Sequence, residues 1–339
     1  MSVITRRVAP AAALFLLALF ILLPGVGVLA PAPDEEQYGW TGVYFGSRLR
    51  HLDFSPGADQ LSDPGWAGDS YWALTQPMGS RFVYAIAFAI TGAQPPARPL
   101  LLWTDDSIMR PEQLQIDPNF SMSSRSLLIM RYTAIVCFAL GLACIAWRLG
   151  WTAVLACALF VVLPATRVVY SLGWAEGPLM LGLGLVVLAW GTRWLPFALG
   201  LVASFKLTGL ALWPAILLPG ACGKNGWPRV WSVAAMLGLW TLLEPVSWFA
   251  GGPAYLVPML WDRVQEYLIQ THAAQRSGAP IFLPSRYLMP LELGLLLLLA
   301  SRIKRILRRR DVAESLPAAC AVKKLRTVRR GLSHFCGPP

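Results

Sequence analysis

Long apolar runs, separated by short polar connectors, set the pattern of this chain. Residues 8–30 carry no charge and follow Arg6 and Arg7. At about 1.5 Å per residue that run reaches roughly 34 Å, enough to cross a bilayer core of about 30 Å. Comparable apolar runs recur at about 127–147, 151–164, 177–190, 195–218, 230–249 and 287–301. Residues 82–91 are apolar but too short to span, so they are expected as a helix lying on or dipping into the membrane surface. Val28-Leu29-Ala30 resembles a signal-peptidase site. The run is nevertheless longer than a usual signal core of about 7–15 residues, and Pro31 follows, so an uncleaved anchor is expected.

Composition agrees. Of 339 residues 56% are hydrophobic and 14% charged, against roughly 25% charged in an average soluble domain. The mean hydropathy is +0.53. These values exclude a water-soluble globule, a disordered chain and a fibrous repeat, and predict an all-α polytopic membrane protein. The six cysteines lie in apolar runs, at 222, or in the basic tail, and none lies in the long polar loop, so no disulfide framework is encoded.

Charge then divides the chain. Residues 31–126, bounded by the first run and the second, hold most of the 18 acidic residues and read as an outer loop carrying juxtamembrane helices. Residues 127–301 read as the transmembrane core. Residues 302–339 are strongly basic and concentrate the net charge of +11. Such a tail marks the cytoplasmic side and binds anionic lipid headgroups at about 1 kcal/mol per residue. Nothing in it has the aromatic interleaving of a nucleic-acid surface, so no nucleic-acid partner is expected.

The connectors can be checked for sidedness. With the N-terminus inside, Arg148 and Arg193 both fall inside, as the positive-inside rule prefers. A single crossing by 195–218 would then misplace Lys224, Arg229 and the basic tail. A hairpin of two short or broken helices, hinged near 200–206, restores the pattern and gives about eight crossings in all. Multi-pass insertion in a cell membrane, the inner one for a bacterium, follows.

Several polar residues stand out against this apolar background. Asp34 and Glu35 follow the first helix; adjacent carboxylates suit general-base chemistry, one accepting a proton while the other orients it or binds a cation. Arg81 follows a Pro-x-Gly turn, Arg131 lies one turn inside a span, and Lys206 interrupts an apolar run. A lysine at the bilayer centre costs at least about 2.5–3.5 kcal/mol, so it must face a cavity or a partner. Glu176, Glu244 and His272 map to the same outer face. No nucleotide-binding loop, Ser-His-Asp set or zinc spacing is present, so an enzyme of this kind draws its activated substrate from the membrane.

Taken in order, these segments resemble the GT-C-type integral membrane glycosyltransferases, a superfamily that includes the protein O-mannosyltransferases and the aminoarabinose transferases. Asp34-Glu35 matches the outer-loop Asp-Glu motif, and Gln76-Pro77-Met78-Gly79-Ser80-Arg81 resembles a His-Pro-Pro-Leu-Gly-Lys segment. Met130-Arg131 resembles the Met-Arg start of a span, and Gly200-Leu201 through Lys206-Leu207-Thr208-Gly209 resembles a Gly-Leu…Lys-x-x-Gly stretch. The likeness covers roughly residues 8–250. Glu176 stands where family members usually carry Asp, and many members are longer.

The resemblance implies a GT-C-like helix bundle. It also implies transfer of a sugar from a polyprenyl-phosphate donor to a lipid, glycan or protein acceptor, with inversion. Asp34 would be the base and Glu35 its partner. Arg81, Arg131 and Lys206 would stabilise the lipid phosphate, with no certain cofactor beyond a divalent cation at Glu35 that some relatives use. A transporter or lipid-linked-sugar flippase, with Glu176 and Lys206 as its polar sites, is the alternative from another class, and a structural subunit the third.

Overall fold

A computed structural model describes residues 3–29, 33–53, 78–94, 122–223 and 228–244, with 254, 257, 258 and 261 as isolated positions. The run 287–301, the basic tail and His272 lie outside the described residues, as do most acids of the 31–126 region. Among the described residues the chain is helical throughout, without a strand.

Helix α1 (Val3–Leu22) ends in a short 3-10 turn, Leu23–Gly25. Helix α2 (Pro33–Arg50) follows, then α3 (Met78–Thr91). Helix α4 (Ser124–Leu149) has ends written in its sequence. Ser123 Oγ accepts the Ser126 N–H at its start, and Gly150, at φ 72°, stops it and donates to the Ala146 carbonyl at 2.7 Å.

Helices α5 (Trp151–Val162) and α6 (Pro164–Ser171) are bent by 82° at Leu163. The cause is local: Pro164 holds Leu163 extended, because the residue before proline avoids helical geometry. Helices α7 (Glu176–Ala189) and α8 (Leu195–Phe205) precede a 3-10 helix, Leu207–Leu217, and α9 (Arg229–Leu242) closes the described bundle.

Two helical stretches, Arg7–Gly25 and Ser124–Leu149, are long and apolar enough to cross a membrane; the bent α5–α6 pair makes a third if it is one span. The remaining apolar helices are 11 to 14 residues long. The 14 residues of α7 reach about 21 Å, short of a bilayer core. Pro164, Pro178, Pro196 and Pro214 sit inside or at the borders of the apolar runs. The long apolar helices suit a membrane-associated protein, and the described residues carry two or three spans by length.

Glycine sets the closeness of packing. A Cβ on Gly141 would strike the Met180 carbonyl, one on Gly177 the Ala134 carbonyl, and one on Gly184 the Gly141 carbonyl. These contacts make α4 and α7 run side by side in the same direction. Positions 134 and 141 on one helix and 177 and 184 on the other recur every two turns, a small-residue seam of the kind membrane helices use to approach one another. Beside it, Leu14, Ala18 and Leu22 of α1 pack with Phe138, Leu142, Phe160 and Tyr170 into the main apolar cluster.

The reversal expected near 200–206 occurs at Lys206, whose backbone is extended between α8 and the 3-10 helix. Trp213 Nε1 donates to the Leu199 carbonyl at 3.2 Å, and the Gly191 N–H donates to the Ala221 carbonyl at 2.7 Å. The two arms therefore fold back on each other, and a Cβ on Gly209 would meet the Val202 carbonyl at 2.5 Å.

Candidate functional site

Helix direction brings scattered residues to one end of the bundle. Helix α1 finishes there, α2, α3, α4 and α7 begin there, and α8 ends there.

Glu35, in the first turn of α2, anchors the cluster. Its Oε1 accepts Arg131 Nε at 2.8 Å and the Gly173 N–H at 2.7 Å, while Oε2 accepts Arg131 Nη2 at 2.8 Å. Arg131 Nη1 also donates to the Val26 and Leu29 carbonyls, at 2.8 and 2.7 Å. Those carbonyls follow α1 and have no helical partner of their own. One guanidinium thus ties the end of α1, the start of α2 and the body of α4, with side chains 1% and 0% exposed. Only arginine provides this planar, two-pronged grip.

A second ion pair joins α7 to the hairpin. Lys206 Nζ donates to Glu176 Oε1 at 2.5 Å, the side chains being 15% and 4% exposed. Between the two pairs runs the turn 172–175, held also by the Tyr84 hydroxyl, which donates to the Trp174 carbonyl. Helix α3 brings Tyr84 inward because Gly42 lets it lie against α2 and Gly79 lets it lie against Ser204 of α8. Arg81, one turn before Tyr84, is fully buried with its guanidinium carbon 5.7 Å from the Tyr38 ring centre, a cation–π separation.

Of the residues singled out in the sequence, Glu35, Arg81, Arg131, Glu176 and Lys206 all lie in this region. Asp34 is in the first turn of α2, next to Glu35, but its side chain lies outside the described residues. Glu244 follows the end of α9 and is buried. Neither of the two ion pairs includes it. His272 lies outside the described residues.

Two expectations change. Arg131, expected at a donor phosphate, is engaged with Glu35 and two carbonyls, which together take up most of its N–H groups. Glu35, expected also as a cation ligand, has both oxygens turned to a guanidinium at 2.8 Å, which opposes a second cation there. Among the described residues no three His, Cys, Asp or Glu side chains are grouped to hold a metal ion. Among the described residues, the surroundings of Glu35 do not fit a divalent cation there.

Three participants were not anticipated: Tyr84, Gly173 and Trp174. Tyr84 had a signal, since a phenol within the apolar run 82–91 needs a partner for its hydroxyl. Gly173 and Trp174 take part through backbone groups, which the residue types do not reveal.

The arrangement combines two buried cations, a partly exposed lysine and a carboxylate-bearing helix start in one apolar setting, where charge acts at short range with little screening. No protein-family model matches the chain, and no curated protein or solved structure matches it either.

Proposed function

We propose that the chain is an integral membrane glycosyltransferase, transferring a sugar from a polyprenyl-phosphate donor to an acceptor at the outer face of a cell membrane. The observation that carries this reading is convergence. The segments resembling the GT-C motifs are far apart in sequence, yet Glu35, Arg81, Arg131 and Lys206 meet at one end of the bundle. A reading with about eight crossings counts the apolar run 287–301 as the crossing beyond the described helices.

In this reading Asp34 accepts the proton of an acceptor hydroxyl or amine as that atom attacks the anomeric carbon. The bond from anomeric carbon to phosphate oxygen breaks, and its electron pair leaves on the polyprenyl phosphate. A single displacement inverts the anomeric centre. Arg81 and Lys206 stabilise the phosphate charge, the kind of fixed electrostatic support that works best in a dry site. Arg131 acts through Glu35: it fixes the first turn of α2 and with it the backbone of Asp34.

Radiolabelled transfer from polyprenyl-phosphate donors in proteoliposomes tests this. Asp34→Asn is expected to lower turnover by about 10²–10⁴, the usual contribution of a positioned base. A folded Asp34→Asn protein with normal turnover would contradict the assignment. A membrane transporter or lipid-linked-sugar flippase is the second reading. It is favoured by one feature, the helix broken at Lys206 with its buried carboxylate partner. Donor movement across the bilayer without transfer would support it.

A further inference from the structure

Lys206 differs from Arg81 and Arg131 at this end of the bundle. Its side chain is 15% exposed, whereas those of Arg131 and Arg81 are buried. Its backbone is extended, with φ −158° and ψ 139°, and the 3-10 helix Leu207–Leu217 starts directly after it without a side-chain cap. The first bond of that helix runs from the Gly209 N–H to the Lys206 carbonyl. The N–H groups of Leu207 and Thr208 precede it and find no acceptor within the helix. Thr208 is itself exposed. An ammonium and two helix-start N–H groups therefore stand within three consecutive residues, and Glu176 presents a carboxylate to the first of them.

We infer that Glu176 is the internal occupant of an anion subsite at Lys206, holding the ammonium until the phosphate group of a ligand displaces it. The proposal deepens the glycosyl-transfer reading and rests on it only for the identity of the ligand. A phosphate group offers the ammonium more acceptor oxygens than a carboxylate does. The displaced carboxylate keeps a favourable place, because Glu176 lies in the first turn of α7, where unpaired N–H groups and the helix dipole favour negative charge.

The consequence concerns release. A glycosyl phosphodiester donor carries one negative charge on its phosphate. The phosphomonoester left after transfer carries about −1.5 to −2 at pH 7, by the same ionisation as a phosphorylated side chain. The product therefore binds Lys206 more strongly than the donor, and a carboxylate that returns to the ammonium expels it.

The test is binding of a radiolabelled polyprenyl phosphate to the full chain in nanodiscs, with inorganic phosphate as a parallel probe. Glu176→Gln is expected to bind the lipid phosphate at least about tenfold more tightly, a difference of about 1.4 kcal/mol. Lys206→Met is expected to lose binding, and the double variant to match Lys206→Met. The same gain with inorganic phosphate would assign the subsite to phosphate in general, and a gain confined to the lipid would assign it to the lipid phosphate; either supports the subsite. A folded Glu176→Gln protein with unchanged or weaker binding overturns it, as does a gain that survives in the double variant. Should Glu176→Gln not fold, Glu176→Asp, whose shorter side chain withdraws from the ammonium, is expected to show a smaller gain, and its absence overturns the proposal. Failure of sugar transfer with every donor would sink the enzymatic reading and leave this binding result standing. Transfer with unaltered Glu176→Gln affinity would sink the subsite alone.

Discussion

The two ends of the helix bundle carry charge in opposite ways. At one end Glu35, Arg131, Glu176 and Lys206 are paired and largely withdrawn from solvent. At the other, Arg148 is exposed and donates to the Trp190 carbonyl at 2.9 Å, and Arg193 lies 5.3 Å from the Trp194 ring centre. Arg7, exposed near the start of α1, belongs to that second end because α1 runs antiparallel to α4. Arg148 and Arg193 meet a carbonyl and a ring, whereas Arg131 and Lys206 are paired with carboxylates from distant parts of the chain. An exposed charge tolerates loss of its partner, whereas a buried one does not, so the two ends are expected to respond to mutation very differently.

The largest effect belongs to the Glu35–Arg131 pair. Arg131→Met leaves a buried carboxylate without its counter-charge and frees two carbonyls, and should lower stability by about 3–5 kcal/mol. Thermal unfolding in detergent reads this directly. Arg131→Lys should recover little of it, since an ammonium cannot grip both carboxylate oxygens and two carbonyls at once. Next comes the seam between the ends. Gly141→Leu forces a side chain into the Met180 backbone, and should cost about 1–3 kcal/mol or more by the same measurement. Tyr84→Phe removes only the hydroxyl that meets Trp174, for a loss of about 1 kcal/mol. Arg148→Ala, at the exposed end, should leave the unfolding temperature within error of wild type. If Arg148→Ala proved as damaging as Arg131→Met, the contrast between the ends would be false.

Much of this contrast was legible in the sequence, and the reasons are local. Apolar runs mark helices, Gly150 marks where one stops, and a lysine inside an apolar run marks a break. Of the residues singled out, Glu35, Arg81, Arg131, Glu176 and Lys206 are the ones that gather. What the sequence withheld was partner choice. Glu35 and Arg131 lie 96 positions apart, and Glu35 and Gly173 lie 138 apart; no local pattern says that Arg131 will be claimed by Glu35 rather than left open to a ligand. Hydropathy alone also does not register the 82° bend at Leu163, which comes at the end of the apolar run 151–164. The close α4–α7 seam escaped as well, because small residues seven apart become a signal only once two such helices are known to face each other.

Under the proposed glycosyl transfer, the end with the buried ion pairs is the working end and faces away from the basic connectors. Sided proteoliposomes test it most directly, with labelled polyprenyl-phosphate donor present in the bilayer and a membrane-impermeant acceptor supplied to one face at a time. Transfer is predicted only when the acceptor meets the face opposite the one where trypsin cleaves the basic tail. Transfer confined to the tail's own face would contradict the claim.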